Sequence, residues 1–482
     1  MIPAVGAAWG EAGERLEQPD ANRAQHAAGR IDAVRLRRLH RAGCVLPSRP
    51  LPEHFKAGIE MGFAKISHTL FDVMARLSRR LRAHGSPGVR RIRRVQDTGL
   101  ARMPWLAMFA SACLALAAPM AAWSADPAVP ASRAEAVQVV RELRKIVSPQ
   151  GVERYEMVPI GGIAQYVSIR GQDRRNPVLL FVHGGPGFPT STIGWWGTRG
   201  LEEYFTVVHW DQRGAGKTHL ANDPATVGPT MTPERFVDDT EELVAWLRTE
   251  FDKDKVFLLG TSWGSYVGLQ FAQRRPEWLH AYIGMGQAVD VPESERRGYA
   301  FALDVARRAG HRQAVADLES IAPYAQSGGA IPLADIALER TWSDHFGGVM
   351  AYRTGQVDGI AVRLSPEYSD EEARRAYEGN GFSQDYLLSD VLGVDLSGVK
   401  ALDCPLIVLA GRHDRSVNSY VAREWFDAVD APAKHFEWFE HSAHEIIAEE
   451  PGKLLVTLVT HALPLAVRSG DGPAASSLRD DP

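Results

Sequence analysis

Short apolar segments recur along the chain from residue 178 onward, and helix-like segments separate several of them. Five are continuous apolar runs, at residues 178–182, 206–210, 256–259, 281–284 and 406–410, and a last strand-like segment covers 435–439. Helical patterns occupy residues 233–251, 266–275, 419–429 and about 445–463. Continuous apolar runs are typical of strands buried on both faces. The alternation therefore predicts an α/β fold, a mostly parallel sheet with helices on both faces.

Two stretches depart from this alternation. Residues 155–169 alternate in polarity around two glycines, as a β-hairpin does, which predicts an antiparallel start to the sheet. Residues 287–396 are charged and helix-rich, and they fall between the fourth and fifth apolar runs. An insertion there lies over the carboxyl ends of the strands, where α/β sheets bind ligands. We predict an inserted helical cap domain over 287–396.

The predicted core then has two parts, residues 126–286 and 397–466, the first beginning with a linker and a helix at 134–147. The Ser-, Gly- and Asp-rich tail, 467–482, is predicted to be disordered. Of the three cysteines, Cys404 is the one within this core, so we expect no disulfide and a buried structural thiol.

The head of the chain has a different composition. Residues 1–102 carry 19 Lys and Arg against 9 Asp and Glu, although the whole chain has a net charge of −5. Because this charge belongs to a head segment, predicted to be disordered or a misassigned start, it does not favour a nucleic-acid partner. Residues 103–125 combine an apolar stretch with a small-x-small site, and arginines within 90–94 and at 102 form a basic flank before them, which is typical of a bacterial secretory signal.

A secretory signal normally stands at the N-terminus, whereas 102 residues precede this one. One explanation is a later translation start, near Met74 or Met103. The other is an uncleaved anchor with a basic cytoplasmic tail. We favour the later start and expect an exported protein, periplasmic or secreted, that contacts a membrane only if residues 103–123 remain as an anchor.

The pentapeptide G-T-S-W-G at residues 260–264 follows the third apolar run and precedes a helical pattern. A G-x-S-x-G nucleophile elbow requires this strand–turn–helix context. The tight turn holds the serine hydroxyl in a cleft, and its crowded backbone leaves room only for glycine on either side. In a chain with 44 glycines the motif alone is a weak signal, so its partners decide its meaning.

A serine hydroxyl needs a base, and the base needs an orienting acid. In chains with such an elbow, the acid and then the histidine follow the serine in sequence, each in a loop after a strand. Asp414 follows the run at 406–410, and His444 follows the strand at 435–439. We therefore predict a triad of Ser262, Asp414 and His444. His441 is the rival base, three residues upstream.

The tetrahedral oxyanion formed by such a serine needs N–H donors. Trp263 is expected to supply one, and the second is expected from Gly184 or Gly185, in the H-G-G-P-G loop at 183–187 after the first apolar run. A P-loop-like segment at 214–218 lacks its first glycine, and the His-Glu pair at 444–445 lacks the second histidine of a zinc protease helix. No metal and no cofactor are predicted.

Together these motifs resemble the proline iminopeptidases (prolyl aminopeptidases, peptidase family S33) of the α/β-hydrolase superfamily. The matching pieces are the loop at 183–187, D-Q-R-G-A-G at 211–216, the elbow through Ser265, and the loops of Asp414 and His444. They span roughly residues 150–466. The resemblance implies an α/β-hydrolase fold, with Ser262 as nucleophile, His444 as general base and acid, and Asp414 as its orienter.

The resemblance also implies that carboxylates of the cap bind the free α-ammonium group of the substrate. The candidates are Glu293, Glu295, Glu339 and Asp344. We therefore expect a serine aminopeptidase that releases an N-terminal residue, preferably proline, from short peptides through an acyl-enzyme.

Two alternatives stay open. The first is an esterase or lactonase with the same triad, so the expected partner is a small peptide or ester. The second is a catalytically silent hydrolase fold that serves as a binding module, against which the intact triad argues.

Overall fold

The centre of the fold is one sheet of eight strands. They are β1 (Val152–Ile160), β2 (Ile163–Gly171), β3 (Val178–Val182), β4 (Thr206–Trp210), β5 (Val256–Thr261), β6 (Leu279–Met285), β7 (Leu406–Gly411) and β8 (Lys434–Phe439). The structure, a computed structural model, describes residues 129–325, 331–353 and 356–472. The predicted head and signal segment lie outside these residues and stay predictions.

The strand order is β1-β2-β4-β3-β5-β6-β7-β8. β1 pairs antiparallel with β2, and β2 antiparallel with β4, whereas every other neighbouring pair is parallel. Gly161 and Gly162 connect β1 to β2 with φ values of 55° and 79°. Positive φ at both central residues is typical of the tight hairpin turns that join twisted strands. The predicted antiparallel start and mostly parallel sheet are confirmed.

Sixteen α-helices accompany the sheet in the described residues. They are α1 (Arg133–Leu143), α2 (Gly194–Gly197), α3 (Gly216–Ala221), α4 (Pro224–Val227), α5 (Pro233–Phe251), α6 (Trp263–Arg274), α7 (Val291–Ala309), α8 (Arg312–Ser320), α9 (Leu333–His345), α10 (Gln356–Arg363), α11 (Asp370–Arg375), α12 (Glu378–Leu392), α13 (Ser419–Ala428), α14 (Ile446–Glu449), α15 (Pro451–Thr457) and α16 (Leu463–Arg468). Short 3₁₀ turns cover Thr190–Thr192, Arg199–Glu203, Gly228–Thr230 and Pro276–Trp278, and Leu458–Ala462 is a π-helical turn.

Helices cover both faces of the sheet, as the continuous apolar runs predict. Along β3, Val178, Leu180 and Val182 pack into one hydrophobic cluster, and Leu179 and Phe181 pack into another. Successive side chains of a strand point to opposite faces, so the two clusters are the two covered faces of one sheet. The predicted α/β fold class is confirmed.

The helical insertion runs from α7 to α12, between β6 and β7. It carries a small hydrophobic cluster of its own, built on Ala302, Ala306, Ala314 and Leu318 of α7 and α8. The insertion begins after the carboxyl end of β6 and ends before β7. The chain therefore leaves the sheet to form the insertion and then returns to it.

Three predicted boundaries need correction. The helix predicted from residue 266 begins at Trp263, directly after the elbow serine. The single helix predicted over 445–463 is broken, because Pro451 has no N–H and starts a new helix. The predicted disordered tail begins too early, since α16 extends to Arg468 and the Asp471 carboxylate is 2.8 Å from His280 Nε2. Residues 473–482 lie outside the described ones.

None of the helices in the described residues is both long and apolar enough to cross a membrane.

Candidate active site

Ser262 lies at the junction of β5 and α6, with φ 54° and ψ −120°. Positive φ is costly for a residue with a side chain, and such strain clusters at functional sites. The glycines on either side are required by close approach. A Cβ on Gly264 would lie 2.0 Å from the Val182 carbonyl oxygen, and one on Gly260 would lie 2.3 Å from the Gly264 oxygen. The G-x-S-x-G pattern is therefore explained by two close approaches, of Gly264 to β3 and of Gly260 to the first turn of α6.

The first predicted oxyanion donor, the Trp263 N–H, lies at the start of α6. Trp263 is the first residue of this helix, so its N–H has no partner within the helix. On the other side of the serine, a Cβ on Gly184 would lie 2.9 Å from Ser262 Cβ and 3.5 Å from its Oγ. The loop at 183–187 is thus in contact with the elbow serine, as an oxyanion hole formed by Gly184 or Gly185 requires.

A buried histidine holds this glycine loop in place. The Gln212 N–H donates to His183 Nε2 over 3.1 Å, so Nε2 is the unprotonated nitrogen. The proton is then on Nδ1, which donates to the Gly184 carbonyl over 2.9 Å. Burial lowers the pKa of His183 to about 4, so the ring stays neutral. Gln212 Nε2 also donates to the His183 carbonyl over 2.7 Å, which joins the 183–187 loop to the 211–216 loop.

Asp414 and His444 form a close pair at the ends of β7 and β8. His444 Nδ1 is 2.7 Å from Asp414 Oδ2, and the Asp414 side chain is fully buried. The other carboxylate oxygen accepts from the N–H groups of Ser416 and Val417, both at 2.9 Å. These bonds hold the carboxylate, which in turn fixes the orientation of the His444 ring through Nδ1.

The imidazole of His444 lies beside the elbow. The Ser262 N–H donates to the Met285 carbonyl over 3.1 Å. At the next residue, Gly286, a Cβ would lie 3.0 Å from His444 Cε1. The backbone at the end of β6, Met285 and Gly286, therefore contacts both the serine and the histidine of the predicted triad.

The electrostatics of the pair favour the imidazolium ion. Burial opposes the charged form, but the adjacent Asp414 carboxylate outweighs it and raises the pKa of His444 to about 9. A carboxylate beside a histidine stabilises its protonated form, which is the form produced when histidine accepts the serine proton.

Two glutamates that the sequence analysis did not identify support the histidine loop. Glu449 accepts from the N–H groups of Ala443 and Ala351, both at 2.7 Å. Glu450 accepts from the His441 N–H over 2.9 Å. Two consecutive acidic residues shortly after the predicted triad histidine are the sequence signal that could have indicated this support.

The rival base is not paired with the acid. His441 is exposed, and its ring lies 6.2 Å from that of Tyr352. Asp414 accepts a hydrogen bond from His444, so the geometry distinguishes two histidines that the sequence alone could not.

The candidate amine-binding carboxylates lie in two different environments. Glu293 is partly exposed and bonds to Arg296 and Arg297 of its own helix. Glu295, two residues on, is buried and forms an ion pair with Arg340, which also pairs with the buried Glu339. The structure therefore brings Glu295 and Glu339 together and leaves Glu293 outside.

The buried cluster adjoins the loop of the predicted acid. A Cβ on Gly298 would lie 2.7 Å from the Arg415 carbonyl and 3.4 Å from Glu339 Oε1. Glu339 Oε1 is buried and has no hydrogen-bond partner, and the same is true of Asp344 Oδ1 on the same helix. Buried polar atoms are rarely left unpaired unless a ligand or water completes them.

A family model described as the alpha/beta hydrolase fold matches residues 177–451, a range that contains the elbow and both loops of the predicted triad. The chain belongs to the α/β-hydrolase family. Among its relatives is a probable aminopeptidase, YbaC, of Bacillus subtilis (strain 168). The two are 30% identical over 310 residues, which are 63% of this chain and 94% of the relative.

A proline iminopeptidase of Clostridioides difficile (strain 630) is 27% identical over 315 residues, 62% of this chain and 95% of the relative. A crystal structure of proline iminopeptidase from Mycobacterium smegmatis aligns with 66% of this chain and 100% of its own, at 20% identity and a TM-score of 0.46. The resemblance inferred from the motifs is confirmed by these sequence relatives.

This α/β-hydrolase also joins its insertion to its core through the 211–216 loop. The buried Asp211 carboxylate accepts from the Tyr368 hydroxyl over 2.9 Å and from the Lys217 N–H over 2.8 Å. Burial raises the pKa of Asp211 to about 6, although its hydrogen bonds lower it. Tyr368 lies in the insertion, between α10 and α11, so the motif that carried the family resemblance also anchors the helical insertion.

Proposed function

We propose that this chain is a serine aminopeptidase that releases an N-terminal residue, preferably proline, from short peptides. Ser262 attacks the carbonyl carbon of the first residue, and His444 Nε2 takes the serine proton. The N–H groups of Trp263 and of Gly184 or Gly185 bind the oxyanion. His444 then protonates the leaving amine, and water hydrolyses the acyl-enzyme with His444 again acting as base.

The observation that carries the proposal is the unpaired Oε1 of Glu339. An aminopeptidase must recognise a free α-ammonium group, and a carboxylate is the natural acceptor for it. The cluster contains the carboxylates of Glu295 and Glu339 and one guanidinium, Arg340. Its net charge of one negative unit matches one ammonium group.

Three contacts keep the cluster in position for this role. The Tyr324 hydroxyl donates to Glu295 Oε2 over 2.7 Å, and Arg340 holds one oxygen of each carboxylate. Glu339 Oε1 is the acceptor that these contacts leave open. Burial raises the pKa of Glu339 although Arg340 lowers it, and an arriving ammonium group favours the ionised form.

The test compares a chromogenic proline amide with a short acyl ester of the same chromogenic class, which carries no ammonium group. Glu339→Gln removes the charge and keeps the shape. We expect kcat/KM for the amide to fall about 10- to 100-fold, mostly through KM, because a hydrogen bond to a charged group contributes about 1.5–3 kcal/mol. Ester turnover is expected to change little.

Glu293→Gln is the matched control. It removes a carboxylate from the same cap, but one that is paired with arginines on the outer face of α7. Its amide kinetics are expected to equal those of the unaltered chain. Ester turnover without any amide turnover in the unaltered chain would reject the peptidase in favour of the esterase or lactonase alternative.

A further inference from the structure

A second group of polar side chains lies at the edge of the sheet, on the first half of β8. Within residues 129–325, 331–353 and 356–472, His435, Glu437 and His461 are the one set of three potential ligands whose ligand atoms all lie within 4.8 Å of one another. None of them belongs to the predicted triad or to the cap. We propose that these three residues bind one zinc ion, which fastens the edge strand to the C-terminal helices.

The fold places these side chains on one surface. His435 and Glu437 are two residues apart on a strand, so their side chains point to the same face. Phe439 is on that face too, and it packs in one cluster with Leu454 and Leu458 of the C-terminal helices. The third ligand, His461, comes from the π-helical turn at Leu458–Ala462. The ligands therefore join two elements that are far apart in the chain.

The distances are close to what zinc requires. A tetrahedral ion with ligands at about 2.0–2.2 Å holds its ligand atoms roughly 3.3–3.6 Å apart. His435 Nε2 and Glu437 Oε2 are already 3.2 Å apart. The remaining adjustment falls on His461, which is exposed and so free to move by about 1 Å.

The two imidazoles must also change their relative orientation. Their ring centroids are 3.6 Å apart, and their planes differ by 14°. A nitrogen lone pair lies in the plane of its ring, so two parallel rings cannot both aim at one ion. Rotation of the exposed His461 side chain brings its nitrogen toward the His435–Glu437 pair.

The charges of the group suit a cation. The two imidazoles carry no fixed charge, and the Glu437 side chain supplies a carboxylate. Lys453 Nζ lies 2.8 Å from Glu437 Oε1, which leaves Oε2 for the metal.

The ligand set selects the ion. Two imidazoles and one carboxylate form a recurrent protein site for zinc, with a fourth position open to water. An ion that binds the folded chain and not the unfolded one raises stability by mass action. Because β8 is the last strand in the sheet order, the bound ion would connect this edge strand to the C-terminal helices.

The test uses tag-free protein stripped of metal with a chelator and titrated with zinc chloride by calorimetry. We expect one ion per chain and a higher Tm with zinc. His461→Ala is expected to weaken zinc binding by at least about 100-fold, because even outer-shell partners contribute 10- to 100-fold. Its unfolding without zinc and its turnover of the proline amide are expected to match the unaltered chain.

His441→Ala is the matched control, since it removes another exposed histidine, one outside the group. It is expected to keep the full zinc affinity. Lys453→Gln removes the cation that competes for Glu437 and is expected to bind zinc more tightly. If the unaltered chain binds no zinc, or if His461→Ala binds it equally well, the stacked histidines only cover the sheet edge and the proposal is wrong.

Discussion

The triad loops and the carboxylates of the cap hold their polar groups in different ways. In the loops, backbone N–H groups at strand ends position the side chains, as Ser416 and Val417 do for Asp414. In the cap, side chains from two helices position one another, as Arg340 does for Glu295 and Glu339. Backbone positions follow from the sheet, whereas the cap cluster depends on how two helices pack.

This difference teaches where chemistry and selectivity are encoded. A group held by backbone bonds tolerates change in distant side chains, so the reaction can be kept while the cap varies. A group held by side chains changes with a single substitution. Removing a loop group is therefore expected to affect turnover of every substrate, and removing a cap group to affect only substrates with an ammonium group.

The largest effect is expected from Ser262→Ala. It removes the proposed nucleophile, so turnover of both the amide and the ester should fall by roughly 10⁶-fold, the loss found when a triad serine is removed. Thermal unfolding should be unchanged or slightly raised, because the strained residue keeps its backbone position. If the variant lost amide turnover but kept ester turnover, another nucleophile would hydrolyse the ester. The loop groups would then not act on every substrate, and the contrast between loops and cap would fail.

A somewhat smaller loss is expected from Asp414→Asn. The base must be neutral, so kcat/KM of the unaltered chain should rise with pH through the pKa of His444, about 9. The substitution removes the carboxylate that raises this pKa, so the midpoint should move toward the ordinary value of about 6.5 while the rate falls about 10⁴-fold. Rates measured from pH 5 to pH 10 give both quantities, and an unmoved midpoint would assign the titration to another group.

The smallest effects concern stability, and they contrast two glycines. Gly264→Ala places a Cβ 2.0 Å from the backbone oxygen of Val182, and this clash should lower the free energy of unfolding by about 1–3 kcal/mol or more. In the cap helix α12, a Cβ on Gly381 meets nothing within 4 Å, so Gly381→Ala should raise it by about 0.5–1 kcal/mol. Urea unfolding midpoints measure both, and equal responses would mean that the elbow is no more crowded than the cap.

The fold was largely predictable from local pattern. Continuous apolar runs marked β3 and β4 at their observed bounds, and the helix predicted over 233–251 is α5. These elements are determined by which residues are apolar and by their spacing. A short stretch of sequence therefore contains the information that is needed to predict them. The prediction of one continuous C-terminal helix was wrong, because Pro451 and the π-helical turn interrupt a sequence pattern that is still periodic.

The site was predictable to different degrees. The elbow, Asp414 and His444 each follow a strand, and parallel strands bring their carboxyl ends to one edge, so the order along the chain predicts proximity. The choice between Glu293 and Glu295 needed the helix face, because residues two apart on a helix point about 200° away from each other. Ala302 and Ala306 are buried on the same face of α7 as Glu295. These two small apolar residues are the sequence signal that could have favoured Glu295.

By itself, the sequence determined the sheet, the elbow and the order of the predicted triad, because each depends on residues close together in the chain or on strand ends that must meet. Only the tertiary structure decided that His444 and not His441 bonds to Asp414, that Arg340 joins Glu295 to Glu339, and that His461 reaches β8. These contacts join residues that are distant in the chain, and their geometry is set by packing, which no local pattern contains.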